Sequence, residues 1–147
     1  MAVHFDAERM EQVRENHARW WKGEIDRPLM KVVITDAYDV PECTLPVLSQ
    51  KTCTDFSVSP EQVVEALDNE LSRQEYLGDA FPMVNFDAFG PGVLAAFCGA
   101  RLDNSSGGVW FFPKEEMEIA DIHVQYDPNS VYAVRIKDIY RKAQRRR

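Results

Sequence analysis

Leu29-Met30-Lys31-Val32-Val33-Ile34-Thr35 is the stretch on which the fold turns. Its four consecutive β-branched residues, Val32 to Thr35, are stiff at χ1 and suit a pleated strand better than a helix. The run is short and apolar, which predicts a buried strand. Upstream, Met10, Val13, His17 and Trp20 or Trp21 fall on one face of a helix over about Ala7–Lys22, with Asp6 as N-cap and Gly23 as its stop. His17 on that face reads as a packed histidine. Glu24 to Pro28 forms the turn into the strand.

Downstream, residues 36–58 have no sustained period, and a loop of that length is functional or hides a short element. Ser59-Pro60-Glu61-Gln62 starts the next helix, with Ser59 as N-cap, Pro60 at the first helical position and Gln62 closing a capping box. Val63, Val64, Leu67 and Leu71 form its apolar stripe, and Gly78-Asp79 breaks it. Pro82–Ala88 is a second strand candidate running into the backbone corner Gly90-Pro91-Gly92. Val93–Cys98 reads as a short apolar helix closed by Gly99, and Val109–Phe112 as a short buried or edge strand. Ile119–Tyr126 reads as a strand or extended segment, and Val131–Gln144 as the last helix. Strands alternating with helices predict βαβ units and a parallel sheet, in one domain over residues 1–147.

The composition, 45% hydrophobic and 28% charged over 147 residues, is that of a globular domain. No apolar run reaches the ~18 residues of a membrane span, and the N-terminus carries charges where a signal peptide needs an apolar stretch. Cys43, Cys53 and Cys98 form no C-x-x-C pair and read as free thiols in a reducing, cytoplasmic compartment. The net charge of −7 is uneven: seven basic residues against one acid from Arg135 onward give +6, leaving −13 for residues 1–134. Such an acidic body repels phosphate backbones, so no nucleic-acid partner is expected, and basic residues ending a helix suit its dipole.

Phosphate-loop, zincin and nucleophile-elbow motifs are absent, and His4, His17 and His123 share no ligand spacing, so no metal or cofactor site is assigned. Asp87 is the candidate catalytic residue. Alternation places it with Asn85 on one strand face, at the strand end where α/β sheets hold ligand chemistry. Its carboxylate could orient a cationic group, or it could cap the following turn. Asn85 and Trp110 are the candidate substrate-binding residues, with packing as the alternative for Trp110. A weaker option is an external metal on Asp36, Asp39 and Asp87.

Trp20 to Pro28 spells W-x-x-G-x-x-D-R-P, Gly78-Asp79-Ala80 leads to Asp87, and Val109 to Pro113 spells V-W-F-x-P. These stretches, with the Ser59-Pro60-Glu61 helix start, resemble the N-terminal part of the uroporphyrinogen decarboxylase-like superfamily, which includes cobalamin-dependent methyltransferase relatives. The resemblance implies a (β/α)₈ barrel, and a tetrapyrrole or corrinoid-linked substrate. It also implies that Asp87 matches the aspartate that meets the pyrrole nitrogens. The arginine-rich stretch of the decarboxylases is missing, since no arginine stands between Arg27 and Arg73, and the late His/Cys zinc site of the methyltransferases has no counterpart. A barrel needs ~250 residues, so the expected fold is a partial, barrel-like parallel sheet with flanking helices, too short to close. The expected function is a truncated or split family member without a complete active site, completed by another polypeptide or a second copy. The alternative is a non-catalytic α/β binding or scaffold protein acting as a homo-oligomer.

Overall fold

The computed structural model describes residues 3–84 and 86–145. Among the described residues the chain runs α1 (Ala7–Trp21), β1 (Lys31–Ile34), α2 (Pro60–Ser72), β2 (Glu75–Gly78), α3 (Val93–Phe97), β3 (Arg101–Asp103), β4 (Trp110–Phe112) and α4 (Val131–Gln144). Two 3₁₀ turns, Phe86–Phe89 and Ile119–Asp121, complete the set. The chain forms two compact units, Met1–Thr44 with Leu67–Val84 and Leu45–Ala66 with Asn85–Arg147. No helix among the described residues is long and apolar enough to cross a membrane.

The fold is mixed α/β, but the expected parallel, barrel-like sheet is corrected. β1 pairs antiparallel with β2, from Lys31↔Gly78 to Ile34↔Glu75, and β3 pairs antiparallel with β4, from Arg101↔Phe112 to Asp103↔Trp110. The second strand is also misplaced by the sequence reading. Pro82 has no N–H to give a ladder, and residues 81–84 run without one. Glu75–Gly78, read as a helix end, pairs instead, because α2 stops at Ser72 and two residues later the chain is already extended.

In the first unit, Asp6 caps α1 by accepting the Arg9 N–H at 2.7 Å. Val13 is buried, while Met10 and His17 are half-buried. Trp20 and Trp21 lie on the exposed end of the helix, so the apolar face is shorter than the spacing predicts. β1 departs further from expectation: Val32, Val33 and Ile34 are 45%, 45% and 41% exposed. A four-residue strand with one neighbour cannot cover the faces of three consecutive β-branched residues.

In the second unit the Ser59 capping box forms as expected, with Gln62 N–H donating to Ser59 Oγ at 3.3 Å and Ser59 N–H to Gln62 Oε1 at 2.9 Å. Val63, Val64 and Ala66 are buried along α2, and Ala96, Ala133 and Ile139 belong to the same unit's core. The loop before α2 hides a turn, Cys53 N–H donating to the Ser49 carbonyl at 2.8 Å, and Cys53 is fully buried. Gly92 explains the corner before α3: a Cβ there would sit 2.5 Å from the Phe111 ring, so only glycine lets β4 approach.

Candidate functional site

In the first unit the ionisable groups converge on Asp79. β2 ends at Gly78 with φ +64, and a Cβ there would run into the Met30 carbonyl oxygen, so glycine is required. The turn folds Asp79 onto Met30. Asp79 N–H donates to the Met30 carbonyl at 2.6 Å, and Met30 N–H donates to Asp79 Oδ2 at 2.9 Å. Arg27 grips the same carboxylate with both terminal nitrogens, Nη1 to Oδ2 at 2.7 Å and Nη2 to Oδ1 at 3.0 Å. Asn16 Nδ2, from α1, donates to Oδ1 at 2.9 Å.

Each carboxylate oxygen thus accepts two hydrogen bonds, and Asp79 is 1% exposed. The Arg27 hydrogen bonds hold its carboxyl well below the usual carboxylate range; burial opposes this, and the Met30 N–H and Asn16 reinforce it. An oxygen pair saturated in this way has no lone pair left to take a substrate proton. Asp79 is therefore an ionised anchor that ties the α1 end, the Arg27 turn and β2 together. Sequence reasoning treats Gly78-Asp79 as a helix breaker and misses this, because Arg27 and Asp79 stand 52 residues apart.

The sequence-predicted site residues belong to the second unit. Asp87 lies in the Phe86–Phe89 turn, not at a strand end; its side chain is exposed and its carbonyl accepts the Gly90 N–H at 2.9 Å. Asn85 lies outside the described residues. Trp110 is on β4 and 61% exposed, which sets aside core packing for it. The glycines of the corner approach Val109 and Phe111, so Trp110, one residue out of phase, faces the other way. Asp36, at φ +55, is held by Arg73, with Nε to Oδ1 at 2.8 Å. Asp36 and Asp39 lie in the first unit and Asp87 in the second, and no three His, Cys, Asp or Glu among the described residues group to hold a metal.

Each unit also has an open groove. In the first, about 510 Å³ is lined by Arg9, Glu75, Tyr76 and His4, whose ring stacks on Tyr38 at 3.8 Å. In the second, about 480 Å³ is lined by Leu94, Met117 and Val124 with Cys98, Lys114 and His123. Neither groove includes Asp87 or Trp110.

No family model, curated protein or solved structure matches the chain.

The second unit has its own buried charge. Arg135 of α4 is 6% exposed and donates through Nε to the Cys53 carbonyl at 3.4 Å and through Nη2 to the Asp55 carbonyl at 3.1 Å. Its guanidinium lies 5.7 Å from the Phe56 ring centre. Burial pushes its pKa down and also pushes the Cys53 thiol up, so that thiol is a packed, unreactive one.

Proposed function

We propose that residues 1–147 contribute the opening part of a uroporphyrinogen decarboxylase- or corrinoid methyltransferase-like protein and hold no complete active site alone. A complementary polypeptide or a second copy completes the site, and the substrate is a tetrapyrrole or corrinoid-linked compound. Asp87 is then the substrate-facing carboxylate, and Asn85 and Trp110 are the substrate-binding residues. The observation that supports this reading is the Arg27–Asp79 junction. Two of the stretches that carry the resemblance, the Asp-Arg-Pro turn and Gly-Asp-Ala, meet here: their arginine and aspartate form one ion pair, its carboxylate buried and its guanidinium half-exposed. Two motifs that depend on each other physically are more specific than either alone. The exposed β-branched residues of β1 support the need for further strands, since such a run stabilises a fold only when covered.

The test is an absorbance titration of the whole chain with uroporphyrin and with hydroxocobalamin, repeated on Asp87→Asn. The expected result is a saturable spectral shift with one of them, weakened about tenfold or more in Asp87→Asn, with melting unchanged. Absence of a shift with both ligands, or equal affinity in the variant, overturns the reading.

A further inference from the structure

We infer that a second copy of this chain docks on the second unit, laying the exposed face of its α4 over the segment between β4 and α4 of the first. This names a partner and a surface, and it stands whether or not the ligand proposed above is correct. Residues 114–126 form no ladder, and their large apolar side chains face water: Ile119 is 87% and Val124 75% exposed, with Met117 and Ile122 about half. Glu115, Glu116, Glu118 and Asp121 stand in the same segment beside one lysine, Lys114, and their carboxylates have no ion pair among the described residues. The segment is therefore an apolar strap edged with acid.

α4 carries the complementary pattern. It buries Ala133, Arg135 and Ile139 and leaves Val131, Val134 and Tyr140 exposed. Residues 131, 134, 138, 141 and 145 follow one helical stripe, apolar at its start and basic at its end. Arg145 has no ion pair among the described residues, and Arg141 has a same-helix contact with exposed Asp138, of little energetic weight. Apolar residues on the helix meet apolar residues on the strap, and arginines meet carboxylates. Both surfaces belong to one unit, and the proposed contact is the two-fold one, in which each copy's α4 lies on the other's strap at the same time.

The experiment is light scattering on the whole chain at low salt, using two charge-reversed variants. Arg141→Glu with Arg145→Glu makes both surfaces acidic; Glu115→Lys, Glu116→Lys and Glu118→Lys together make both basic. Wild type is expected to be a dimer that weakens in high salt, and each variant alone to be a folded monomer, with dissociation about tenfold or more easier. An equal mixture of the two is expected to restore the dimer, since both reciprocal contacts regain opposite charges. A monomeric wild type, a dimer indifferent to both reversals, or a mixture that stays monomeric overturns the proposal. Melting curves of each variant separate loss of docking from loss of fold. A restored dimer that binds no tetrapyrrole or corrinoid leaves this inference standing and removes the ligand reading.

Discussion

Asp79 in the first unit and Arg135 in the second are both charged and both buried, and they are held in opposite ways. Asp79 meets a full opposite charge, a backbone N–H and an amide, so that every lone pair is used. Arg135 meets two backbone carbonyls and an aromatic ring, with the Asp55 carboxylate turned to Ser57 instead. Their acid–base behaviour diverges accordingly: the Arg27 bonds keep Asp79 ionised against burial, whereas burial lowers Arg135 against the opposing charges of Asp55 and Cys53. A carboxylate in a thin core needs its counter-ion, while a guanidinium can be held by carbonyl dipoles spread over its fork.

The largest effect follows from that difference. Arg27→Met strands a carboxylate that is 1% exposed, and the expected loss is about 10 °C or more of melting temperature. Asp79→Asn is milder, because Arg27 is half-exposed and can turn to water. Circular dichroism melts of the two variants check this order; equal losses would blur the contrast between the units.

Acid sharpens it next. Because the folded carboxyl of Asp79 lies below its unfolded value of about 4, its stabilisation is complete above that pH and is lost as pH falls toward the folded value. Arg135 stays protonated throughout this range, so it adds no slope. Trp20 and Trp21 report the first unit and Trp110 the second. In a Trp110→Phe background, fluorescence is expected to show stability falling below about pH 4, and Asp79→Asn is expected to flatten that fall.

Arg135→Met removes two charge-assisted bonds but also relieves a buried charge, so about 1–3 kcal/mol is expected by urea unfolding. Ser59→Ala removes one arm of the capping box and is expected to cost about 1 kcal/mol by the same measurement.

Local signals were legible and long-range ones were not. The Asp6 cap, the Ser59 capping box, the Gly99 stop and α4 over Val131–Gln144 all depend on residues within one or two turns of each other. The direction of β1 depends on a partner more than forty residues away, and the alternation of helices with strands misleads because β1 and β2 pair antiparallel despite the helix between them. Burial of Val32–Ile34 was inferred from residue type, which reports what a strand needs and not what covers it. Asp87 stands out only through a strand whose last residues form the Phe86–Phe89 turn instead, and Asp79 escapes notice because its partner is distant in sequence.

The coupling of the two motifs through Arg27 and Asp79 is read directly by a double-mutant cycle. Urea unfolding of wild type, Arg27→Met, Asp79→Asn and the double variant gives the four unfolding constants. The expected result is a double variant about tenfold or more stabler than the product of the single effects. Additivity within about twofold would contradict it, because the two motifs would then be energetically independent.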